Sequence, residues 1–97
     1  MALYATKSAP AASQAAGSAS VFVVTASAEP GTLVRVLGLF AVRDLVPRFV
    51  SCVRESDMLK IEVEINSVGD DIDQILAAKI RQIIVVTDVA LTQVVGT

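Results

Sequence analysis

The chain has 97 residues, with 8 Lys and Arg against 10 Asp and Glu, no histidine, and a formal net charge of −2. That length holds one domain rather than two, and the acidic balance argues against a nucleic-acid backbone as the main ligand, because phosphate contacts need clustered Lys and Arg. The lone cysteine, Cys52, cannot close an internal disulfide, so no oxidising compartment is implied.

Residues 1–20 are mostly Ala and Ser, with no apolar periodicity. They bury too little surface to offset their ordering entropy, so they read as a flexible tail. The stretch lacks the basic n-region and continuous apolar core of a signal peptide. No apolar run approaches the ~18 residues of a membrane span. The expectation is a soluble, cytoplasmic protein without a membrane partner, its domain over 21–91 and a short C-terminal tail over 92–97.

Val21 to Ala26 is β-branched and aromatic and predicts a buried strand. Ser27-Ala28-Glu29-Pro30-Gly31 breaks it. Leu33, Val36, Leu37, Phe40 and Ala41 then follow helical spacing, with Pro30 suited to a first turn. Arg43-Asp44 and Pro47 bracket the helix end.

Arg48 to Arg54 has strand character, with Phe49, Ser51 and Val53 on one face and Val50 and Cys52 on the other. After the polar turn Glu55-Ser56-Asp57, Leu59, Ile61, Val63 and Ile65 alternate with Lys60, Glu62 and Glu64. Strict period two marks an antiparallel sheet covered on one side. Asp70 or Asp71 offers a cap for a second helix, with Asp73 or Gln74 three residues on. Ile72, Ile75, Leu76, Ile80 and Ile83 form its apolar stripe, and Lys79 and Arg81 suit its C-terminal end. Ile84 to Val89 reads as the last strand. The order β-α-β-β-α-β predicts an α+β, ferredoxin-like fold, two helices on one face of a four-stranded antiparallel sheet.

That fold leaves function open. Without histidine the commonest acid/base at neutral pH is missing. Cys52 sits in a predicted strand with nothing to lower its pKa, and reads as a small, partly buried apolar residue. Asp70, Asp71 and Asp73 lack the glycine and bidentate Glu of a calcium loop and read as helix-capping residues rather than metal ligands. Ferredoxin-like acylphosphatases hold phosphate with an arginine in the first loop, and Ser27 to Gly31 has none. RNA-binding sheets of this topology display stacking aromatics, whereas the third strand displays Lys60, Glu62 and Glu64. Neither catalysis nor a cofactor is expected. Gly31 permits close backbone approach, and the helix N-terminus behind it favours a carboxylate; the alternative is that Pro30-Gly31 merely turns the chain.

The run Glu29-Pro30-Gly31-Thr32-Leu33-Val34-Arg35-Val36-Leu37-Gly38-Leu39-Phe40-Ala41-Val42-Arg43 resembles the first loop and helix of ACT domains. It is most similar to those of the small regulatory subunit of acetolactate synthase, with Gly31, Leu33, Arg35, Val36, Gly38, Leu39, Phe40 and Arg43 matching. Asp73-Gln74-Ile75 and Ile83 to Val89 resemble that subunit's second helix and last strand. The resemblance implies a homodimer whose two sheets join side by side. It also implies an effector such as valine at the interface, and a biosynthetic enzyme as the regulated partner. It places the effector against Ala28, Glu29, Pro30, Gly31, Thr32, Leu33 and Val46. The subunit carries asparagines at the positions of Ala28 and Val46, the second in an Arg-Gly-Tyr-Asn pattern where this chain has Arg43-Asp44-Leu45-Val46. The alternative is a structural dimerisation module that no longer binds an effector.

Overall fold

The computed structural model describes residues 18–94. Residues 1–17 of the expected tail, and 95–97, lie outside the described residues. The elements are β1 (Ala19–Ser27), α1 (Thr32–Val42), β2 (Phe49–Glu55), β3 (Met58–Asn66), α2 (Asp70–Arg81) and β4 (Val86–Val94). The strands form one sheet in the order β2-β3-β1-β4, every neighbouring pair antiparallel. This is the βαββαβ ferredoxin-like fold.

Alternation sorts the two faces. Phe22, Val24 and Ala26 of β1 are fully buried with Ile61, Val63 and Ile65 of β3, beneath the helices. On the other face Val21, Val23 and Thr25 stand opposite Glu64, Glu62 and Lys60. At the entry to β2 the Arg48 guanidinium lies 3.6 Å from the Glu64 carboxylate. Val36 and Phe40 of α1 and Leu76, Ala77 and Ile80 of α2 close the core. The Phe40 ring meets Phe22 edge to face, 5.3 Å between centroids and 84° between planes, a favourable aromatic geometry.

The end of α1 is a Schellman motif: the Leu45 N–H donates to the Phe40 carbonyl and the Asp44 N–H to that of Ala41. The motif needs a left-handed residue, and Asp44 supplies it at φ 58°. Asp tolerates that region better than most side chains, though less well than glycine.

Several expectations need correction. Residues 19 and 20 are the first residues of β1, with Ser20 fully buried. β4 begins at Val86 and runs to Val94, where Ala19 pairs with it, while Ile84 is 95% exposed in the connection. Pairing with the central strand extends β4 through residues whose own pattern is weak. Ile75 is 45% exposed, and Ala77 takes the core position instead. Cys52 lies on the helix-side face of β2, but at the uncovered sheet edge, and is exposed.

The start of α2 differs most. Gly69 is its N-cap, at φ 108°, and no side chain caps the helix. Asp73 does not cap either; it is fully buried. The Ser20 hydroxyl donates to its Oδ2, joined by the Ser67 hydroxyl at 3.2 Å and the Gln93 amide at 3.1 Å. Asp73 therefore ties β1, the β3–α2 loop and β4 to one helix turn.

Candidate functional site

The β1–α1 loop is held from both sides. The Ser27 N–H donates to the Val85 carbonyl and the Ala28 N–H to that of Asp57, each at 2.8 Å. The Thr32 hydroxyl donates to the Ser27 carbonyl at 2.9 Å, locking the first turn of α1 against the end of β1. Through Asp57 the loop is fastened to the two-residue β2–β3 turn, where Ser56 takes φ 58°.

Between loop and turn lies an open groove of about 290 Å³, lined by Ala28, Glu29, Pro30, Arg54 and Leu59. It is near the lower end of the ~300–1,000 Å³ usual for ligand pockets, so it suits a small molecule. Arg54 and Leu59 are cross-strand partners one step from the turn. The Arg54 Nε donates to the Ser56 carbonyl at 2.9 Å, which fixes the plane of the guanidinium. Among the described residues its terminal nitrogens have no other partner, and Glu29 forms no ion pair. The groove thus offers one cation, one anion and an apolar lining of Ala28, Pro30 and Leu59.

The residues expected to hold an effector divide in this structure. Ala28, Glu29 and Pro30 line the groove. Gly31 adjoins them at φ −92°, a conformation open to any residue, and a Cβ there would meet only the Arg35 Nε, at 3.8 Å. Thr32 is fully buried and Leu33 packs on the core, so both face inward. Val46 is 85% exposed beyond the far end of α1. The 11 residues of that helix separate it from the loop by about 16 Å. Within one chain Val46 does not meet the groove. Arg54 and Leu59 were missed by sequence reasoning, although the hairpin symmetry about Ser56-Asp57 would have paired them.

A second cavity, about 160 Å³, is lined by Arg81, Val86, Thr87, Asp88 and Val89. Its guanidinium is already engaged, donating to the Val89 carbonyl at 3.0 Å. Among the described residues no group of His, Cys, Asp or Glu is arranged to hold a metal, and no helix is long and apolar enough to cross a membrane.

The strand order and the two helices define a small βαββαβ module. The profile of the ACT-like domain matches residues 13–96, and the chain belongs to that family. Many solved structures share its fold, and two serve as examples. One is the ACT domain from GTP pyrophosphokinase of Chlorobium tepidum, with a TM-score of 0.69 and 15% identity over 76% of this chain and 96% of that one. The other is the C-terminal domain of the MgtC protein from Mycobacterium tuberculosis, with a TM-score of 0.65 and 14% identity over 80% of this chain and 88% of that one. No curated protein matches the sequence. ACT-like domains are small-molecule-binding regulatory modules.

Proposed function

We propose that this chain is a non-catalytic regulatory module that binds a small amino acid in the groove at Ala28, Glu29 and Pro30 and transmits its occupancy to a partner enzyme. The observation that carries the reading is that the loop singled out in the sequence forms one wall of a cavity of amino-acid scale. The run from Glu29 to Arg43 supports a relation to the regulatory subunit of acetolactate synthase, and hence a branched-chain effector and cytoplasmic work.

Self-association belongs to the same proposal. Val34 and Val42 on α1 are 71% and 81% exposed, and Val53 on β2, an edge strand of the sheet, is 51% exposed. A helix apolar on most sides and an unpaired sheet edge both call for a covering surface, and a second copy joined along β2 provides one. Such a pairing could also bring the partner's C-terminal end of α1, with Val46, towards the groove.

The test is a thermal-shift screen of the full chain with the common amino acids, together with sedimentation. Ligand at 100 times its dissociation constant stabilises a fold by about 2.7 kcal/mol. A dimer with an amino-acid-dependent melting temperature is expected. A dimer indifferent to every amino acid favours the structural dimerisation module, and a monomer at high micromolar concentration refutes the pairing.

A further inference from the structure

The groove carries a pair of opposite charges with no ion-pair partner among the described residues. Arg54 enters from β2 and Glu29 from the β1–α1 loop, and they line the same cavity without forming an ion pair with each other among the described residues. Arg54 is oriented: its Nε is committed to the Ser56 carbonyl, which leaves the two terminal nitrogens as a fork. A planar fork of N–H donors matches a carboxylate through two parallel hydrogen bonds. The Ala28 N–H to Asp57 carbonyl bond holds the loop that carries Glu29 against the turn next to Arg54. The other described residues lining the groove are Ala28, Pro30 and Leu59, which present no side-chain hydrogen-bonding group.

We infer that Arg54 and Glu29 are the specificity-determining pair of this groove, Arg54 taking the carboxylate of an α-amino acid and Glu29 its ammonium group. The inference rests on the amino-acid reading above and goes beyond it by naming which side chains read the ligand. The two charges demand a zwitterion. The apolar lining accepts a small aliphatic side chain and leaves a polar one without a partner. Side chains from two elements here take the orienting role, at a loop where Ala28 offers no side-chain amide.

Calorimetric titration of the full chain with L-valine, and with the 2-oxo acid of the same carbon skeleton, tests the pair. The 2-oxo acid keeps the carboxylate and lacks the ammonium group, so the parent should bind it more weakly. Arg54→Gln should weaken both ligands about 5- to 20-fold, a range between an exposed ion pair and a charge-assisted hydrogen bond. Glu29→Gln should weaken valine by a similar factor and leave the 2-oxo acid unchanged. Both side chains are exposed, so the unliganded variants should melt with the parent. If valine binds the parent and both variants alike, the pairing is overturned while the amino-acid reading stands. A parent that titrates with none of the common amino acids overturns that reading and the pairing with it.

Discussion

Replacing Asp73 by alanine probes a polar cluster in the core. Its Oδ2 accepts from Ser20, Ser67 and Gln93, and Ser20 is itself fully buried. Truncation leaves the Ser20 hydroxyl without a partner, which costs about 1–3 kcal/mol, and removes two half-buried hydrogen bonds of about 0.5–1.5 kcal/mol each. The sum is roughly 2–6 kcal/mol. A domain of roughly 75 residues, at about 0.05–0.15 kcal/mol per residue, holds only some 4–11 kcal/mol. Asp73→Ala should therefore lower the melting temperature by at least about 8 °C. The chain has no tryptophan, so urea unfolding is followed by far-UV circular dichroism. Asp73→Asn keeps an oxygen acceptor in the same shape and should cost less than half as much. A Ser20→Ala, Asp73→Ala cycle should show a coupling of about 0.5–3 kcal/mol. Should Asp73→Ala unfold within 0.5 kcal/mol of the parent with an unchanged denaturant slope, the cluster does not bind the two outer segments of the fold.

Other substitutions test the remaining elements. Asp44→Gly relieves a left-handed residue in the Schellman motif and should stabilise the fold by up to about 1 kcal/mol; a loss of stability would mean the Asp44 side chain contributes something unseen. Phe40→Ala removes a ring that is 1% exposed and packed on Phe22, and should cost about 3–5 kcal/mol by chemical denaturation; parent-like unfolding would place Phe40 outside the core. Gly31→Val should fold normally, since φ is −92° and a Cβ has 3.8 Å of clearance from the Arg35 Nε. It should nevertheless lose the melting-temperature gain from valine, because a branched side chain crowds the loop. Retention of that gain would move the ligand away from Gly31.

The groove was only half legible beforehand. Its loop side announced itself through Pro30-Gly31 followed by helical spacing, because turn residues act locally. Its strand side did not. Arg54 reads in sequence as one more solvated charge; the hairpin register places it beside Leu59, and the tertiary fold brings it to the groove that Glu29 also lines. Thr32 and Leu33 are neighbours of Gly31 in the chain, yet the helix rotates both inward.

Period and punctuation by themselves determined the element order, the inward face of β3, the inward Val36 and Phe40 of α1, and the βαββαβ topology. Those properties follow from spacing within single segments, where a side chain's face depends only on residue number. Tertiary structure alone decided the length of β4, the exposure of Ile75 and Ile84, and the fate of Asp73. Each of these depends on what stands opposite. An aspartate in the first turn of a helix has the composition of a surface residue, and it is buried because Ser20, Ser67 and Gln93, distant in sequence, converge on it.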